Sequence, residues 1–235
     1  MTTPIPYIYL QVTDNLDRRR LEVTNLRRVL LAHAATPLES TAVRMCIPMI
    51  YAHWEGYVRE VCQLYLEHIE VSVKAASQLQ PALLGYLWTP KLKPITGGLN
   101  FSRRKAVAEC ALNDTRRPIR FGDVEKAINT RSNLNFSVLQ EIANDLCLDI
   151  GGLALRRRHL DALVHIRNSI AHGCNPQPLK YSDFDQQATN MTALMEEFEE
   201  VVLDAIRNMR FCRRRSRSRH MSSGDGPTCD GSAAC

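Results

Sequence analysis

Residues 164–176 read VHIRNSIAHGCNP. In that stretch Arg167, Asn168 and His172 have the chemistry to hold a phosphate, orient a hydroxyl and move a proton. A guanidinium binds phosphate through charge-assisted hydrogen bonds and keeps its own proton. An imidazole is the side chain that exchanges protons near neutrality. Residues 156–172 have helical periodicity. On a wheel of about 100° per residue, Leu160, Leu163, Val164, Ile166, Ile170 and Ala171 share one arc. Arg167 falls near the middle of that apolar arc, whereas Asn168 and His172 lie four apart on another edge, with Asp161 and His165. An unpaired guanidinium is costly to bury, so two arrangements are open. Either an acid meets it in the core, with Glu55 and Glu60 as candidates, or the stripe faces a cleft or a subunit interface. Gly173 and then Asn175-Pro176 end the helix, which puts His172 in its last turn. A histidine there can also be no more than a cap.

The elements that must position these residues are helical. Residues 13–35 carry Leu16, Leu21, Val23, Leu26, Val29 and Leu30 at helical spacing, with Thr13 or Asp14 as cap. Residues 38–76 form a second, longer region striped by Ile50, Trp54, Tyr57, Val58, Val61, Leu64, Tyr65 and Ile69. Pro48 within it marks either a kink or the start of a new helix. Prolines break up 80–98 into a short helix and a loop. Brief helices are expected over 101–113 and 121–130, and a firmer one over 133–150. The last helix spans 182–209, capped by Ser182 or Asp183. No stretch alternates as a strand would, and no repeat is present. The fold class is therefore all-α, an up-down helical bundle with a smaller helical insertion at about 80–150. Residues 1–13 read as an extended N-terminal arm, 14–212 as the helical domain, and 213–235 as a disordered tail.

Composition bounds the partners. The formal charge of +5 is concentrated in residues 207–220, which hold seven arginines and no acid, so the folded remainder is near neutral. The Arg/Ser tail can bind phosphates or simply be solvated. The eight cysteines form no C-x-x-C pair and no zinc spacing, so neither a metal nor another cofactor is implied. The N-terminus has no signal-peptide pattern and no run is long enough to span a bilayer, which points to a reducing cytoplasm without membrane attachment. Trp54 and Tyr57 are either base-stacking residues or core, and Glu55 lies between them in sequence. His53 and His165 have no motif role.

The R-N-x-x-x-H arrangement of Arg167, Asn168 and His172 on a late helix resembles the HEPN family (higher eukaryotes and prokaryotes nucleotide-binding). MIYAHWEGYVRE (49–60) and NTRSNLNFSVLQEI (129–142) are similar to one branch of small stand-alone bacterial members. That resemblance implies a helical-bundle homodimer whose paired motif helices make one RNA-cleaving site. Many members are metal-independent ribonucleases of toxin–antitoxin, phage-defence or RNA-processing systems, while others only bind RNA, a nucleotide or a partner protein. It gives Arg167, Asn168 and His172 the catalytic roles, RNA as substrate and an antitoxin protein as possible partner. Some HEPN toxins carry a modifiable tyrosine two residues after the histidine; here that position is Cys174. The chemistry independently favours two copies. Attack by a 2′-OH needs one group to take its proton and another to protonate the leaving 5′-oxygen. One imidazole cannot stand on both sides of a phosphate.

Overall fold

The structure, a computed structural model, describes residues 5–92, 94, 101–122, 128–174 and 178–213. Helix α1 spans Ile5–Leu31. Ile8, Val12, Leu16, Val23 and Leu30 are its buried stripe, at steps of four and seven. Residues 5–13 are thus the first turns of α1 and not the expected arm. Proline is tolerated at the start of a helix, where its missing N–H has no intrahelical acceptor. The four-residue step through Ile8, Val12 and Leu16 decides the conformation.

Helix α2, Glu39–Ser72, runs unbroken through Pro48, so no new helix begins there. Helix α3 covers Pro81–Leu92, α4 Phe101–Asn113 and α5 Phe136–Leu146. The motif helix α6 is Arg157–Ala171, preceded by a 3-10 segment over Gly151–Arg156, and α7 is Tyr181–Arg207. The N-cap of α7 is Lys180, not Ser182 or Asp183. Asp183 instead turns its carboxylate back to accept from the Lys180 N–H at 2.8 Å. Of the helix expected over 121–130, residues 123–127 lie outside the described residues and 128–130 are not helical. The expected disordered tail also lies outside them from residue 214 on.

All described elements are helical, apart from one isolated bridge between Leu79 and Cys212. Helices α1, α2 and α7 pack on one another, and α6 lies against α2 and α7. Helix α3 joins α4 and α5 in a smaller group. The aromatic residues of α2 lie at the centre of the core. Trp54 and Tyr57 meet Phe198 edge-on, with ring centroids 6.1 and 6.4 Å away, and Tyr65 meets Phe211 at 6.0 Å. No described helix is long and apolar enough to cross a membrane.

Helices α1 and α2 approach closely at Gly56, where an added Cβ would stand 3.0 Å from the Arg19 guanidinium. That guanidinium passes over the glycine to reach Glu60 at 2.7 Å. Burial alone would raise the Glu60 carboxyl. Hydrogen bonding from Asn15 and the charges of Arg19 and Arg18 outweigh it and hold the group below the usual carboxylate range. A carboxyl lowered by folding contributes stability above its unfolded pKa and loses it as the pH falls through the folded value. Glu60→Gln should therefore lower the urea midpoint at neutral pH, and the gap to the unmutated chain should close on acidification. Equal gaps at neutral and acidic pH would refute that assignment.

Candidate active site

The end of α6 is built by a backbone motif. His172 is the C-cap, and Gly173 follows it in the left-handed region with φ 73°. The Gly173 N–H donates to Ile170 O at 3.1 Å and the Cys174 N–H to Ser169 O at 2.9 Å. These are the paired bonds of a Schellman ending, which needs a residue at ease with positive φ. Arg44 of α2 donates to the Cys174 carbonyl at 3.0 Å and fixes the exit of the chain. The ending leaves His172 exposed, and its side chain makes no hydrogen bond among the described residues.

Arg167, five residues earlier and about 7.5 Å back along the axis, is half-buried. Its guanidinium carbon lies 4.4 Å from the centroid of the Tyr51 ring, a stacked cation–π pair. Its Nη1 donates to Asn168 Oδ1 at 2.9 Å, and Asn168 Nδ2 donates to Asn133 Oδ1 at 3.3 Å. Both ends of the Asn168 amide are therefore in use. No ion pair joins Arg167 to an acid among the described residues, which corrects the expectation for Glu55 and Glu60. Glu60 is held by Asn15, Arg18 and Arg19. Glu55 accepts a hydrogen bond from Thr130, lies 3.8 Å from Arg59, and stands beside the Tyr51 hydroxyl. The guanidinium is accommodated by an aromatic face, an amide and partial exposure, so it is a half-exposed stacked cation and not a buried ion pair among the described residues.

The stretches that hold Tyr51 and the segment 129–135 carry the resemblance, but sequence reasoning assigned neither a role at the site. Tyr51 is 1% exposed, and its hydroxyl accepts the Leu134 N–H at 2.6 Å. Burial pushes its phenol up to about 12, so it stays protonated. The Leu134 carbonyl accepts from the Trp54 indole at 3.4 Å. Two side chains of α2 thus hold both backbone groups of one loop residue, next to the asparagine that steadies Asn168. Beyond that resemblance, the sequence signals are Tyr51 on the flank of the α2 stripe and asparagine crowding at 129, 133 and 135. Trp54 and Tyr57 are fully buried in the core, where no base can reach them. His53 and His165 do not join the site. His53 is lowered by burial and by Arg19, and His165 is exposed.

Tyr51→Phe keeps the ring under Arg167 and removes the acceptor for Leu134. It should cost about 1 kcal/mol, read as a lower urea midpoint with unchanged slope. No loss of stability would show that the hydroxyl does not anchor the loop.

Arg167, Asn168 and His172 come together on one short stretch, with the cation turned toward α2 and the imidazole at the exposed rim. Arg167, steadied by Asn168, can hold a phosphate and its developing charge. One imidazole per chain can serve as either the acid or the base. A sequence model of the HEPN_MAE_28990-like HEPN family matches residues 10–211. No curated protein and no solved structure matches the chain.

Proposed function

The chain belongs to the HEPN family, and from that premise we propose that it is a metal-independent endoribonuclease acting as a homodimer. The observation that carries this reading is the division of labour on α6. Arg167 is fixed by Tyr51 and Asn168, while His172 is exposed and its side chain has no hydrogen bond among the described residues. Two copies related by a two-fold axis supply the two imidazoles the reaction requires. One His172 takes the proton of the 2′-OH as its oxygen attacks phosphorus. The other protonates the departing 5′-oxygen. The products are a 2′,3′-cyclic phosphate and a 5′-hydroxyl. The paired Arg167 guanidiniums stabilise the extra charge on the phosphorane. Asn168 acts as a positioning residue for Arg167. The stripe containing Ile166 and Ile170, both half-buried in one chain, continues into the subunit interface. By the habit of related ribonucleases, the cellular role is that of a cytoplasmic toxin or phage-defence effector, restrained by an antitoxin protein. With Cys174 two residues after His172, that restraint does not use tyrosine modification.

A second reading, a non-catalytic module binding RNA, a nucleotide or a partner protein, is favoured by one observation: nothing within the described chain orients the His172 ring. Structured RNA incubated with the purified protein in EDTA separates the two. Cleavage that disappears in both His172→Ala and Arg167→Ala, each melting as the unmutated chain does, supports the enzyme. Equal cleavage by His172→Ala would reveal a contaminant and leave the binding module.

A further inference from the structure

Beside the start of segment 129–135 lies an open cavity of about 640 Å³, lined by α3, by Phe121, Ile128, Asn129 and Arg131, and by α5. That is the size of a small-ligand site. Tyr86 and Phe121 line it with rings tilted 51° and centroids 6.2 Å apart. Two carboxylates of α5, Glu141 and Asp145, lie four residues apart on the same helix face and enter it together. They are not equivalent. Both terminal nitrogens of Arg131 engage Glu141. Asp145 makes no hydrogen bond or ion pair among the described residues, and burial and the neighbouring Glu141 charge push its carboxyl up. The cavity therefore offers an uncompensated two-oxygen acceptor beside flat aromatic surface.

The ligand that fits must be flat, must stack, and must present adjacent donors. Guanine alone among the bases does so, with N1–H and the N2 amino group side by side on its Watson–Crick edge. Adenine and cytosine pair a donor with an acceptor there, and uracil flanks its single donor with acceptors. A carboxylate accepts only, so it accommodates guanine and repels the rest. The cavity is also tied to the motif helix. Arg131 lines it, and Asn133, two residues on, accepts from Asn168. Two residues span at most about 7 Å.

We propose that this cavity is a guanine subsite, in which Asp145 accepts from N1–H and N2–H of a base stacked on Tyr86, the half-buried ring of the pair. Resting on the ribonuclease reading above, the subsite would place an unpaired guanosine of the RNA strand near the cleaved bond and so set sequence preference. The test uses the full-length His172→Ala chain in EDTA, so that RNA stays intact, and fluorescein-labelled single-stranded oligonucleotides identical except at one guanosine. Guanosine should bind about tenfold more tightly than adenosine at that place, as expected for a two-bond contact to a base. Inosine, which lacks the N2 donors, should fall between them. Asp145→Asn in the same background, melting normally because the residue holds no partner among the described residues, should shrink the preference to about twofold or less. No preference, or a preference that survives Asp145→Asn, overturns the proposal. So does competition by arginine amide equal to that by guanosine monophosphate. Guanosine monophosphate binding as tightly as the oligonucleotide assigns the site to a free nucleotide, and weaker binding assigns it to the strand. Because binding is read on an uncleaving chain, loss of the ribonuclease reading and loss of the subsite are separate results.

Discussion

Co-expressed in equal amount, a mixture of unmutated and His172→Ala chains should retain about a quarter of the RNA-cleaving activity per total chain, not half. Random pairing gives about one quarter of dimers with two imidazoles, one half with one, and one quarter with none. If the site needs one His172 as base and another as acid, only the first class turns over. If each chain carried a complete site, half the activity would remain, and the composite site would be refuted. The His172→Ala homodimer itself should fall by about 10³-fold or more, since a positioned acid or base contributes about 10²–10⁴-fold. Arg167→Lys is an informative companion. It keeps the charge but loses the planar fork that stacks on Tyr51 at 4.4 Å and donates to Asn168. A loss of about 10²-fold or more is expected from removing such a donor. Light scattering on the same samples reads the dimer directly.

Trp54→Ala should cost about 3–5 kcal/mol, a large part of the roughly 5–15 kcal/mol that holds a domain folded. Trp54 is wholly enclosed, meets Phe198 edge-on and donates to the Leu134 carbonyl. Its truncation leaves both a cavity and an unsatisfied carbonyl. For a chain of this length, the melting temperature should drop by about 6–20 °C. Trp54→Phe, which refills most of the volume, should lose much less. A normal melting temperature with weakened RNA binding would instead make Trp54 a base-stacking residue and contradict its place in the core.

The regular part of this fold was legible because burial imposes a period. The spacing of Trp54, Tyr57, Val58, Val61 and Tyr65 marks α2, and the Leu160–Ile170 pattern with Gly173 marks α6 to within one residue at each end. What failed was local. Prolines near the N-terminus concealed the Ile8–Val12–Leu16 step. The expected helix over 133–150 stops at Leu146 because Cys147 takes a left-handed C-cap with φ 59°, a conformation its side chain does not announce. At the site, Arg167 was visible as an anomaly on its wheel, but the answer to that anomaly was not. Periodicity places a residue on a face and says nothing about what faces it. The wheel could nominate Glu55 and Glu60 as partners by charge, yet it could not show that Arg18 and Arg19 had taken Glu60 and that an aromatic ring lay under Arg167.

Arg131 and Ser132 both sit at positive φ, 54° and 52°, a conformation that costs of order 1 kcal/mol or more for each non-glycine residue. Nothing in that segment is secured by a ladder of backbone bonds. It is held by the Tyr51 phenol, the Trp54 indole, Glu55 and Asn168. Its amides should therefore keep two clocks in deuterated water. That of Ser132, which donates to nothing among the described residues, should exchange early, while that of Leu134 should exchange only when α2 lets go of the loop. A slow Leu134 amide that quickens when the Arg167 stack is removed would make one proton a running gauge of whether the Tyr51 ring is held between the cation and the loop.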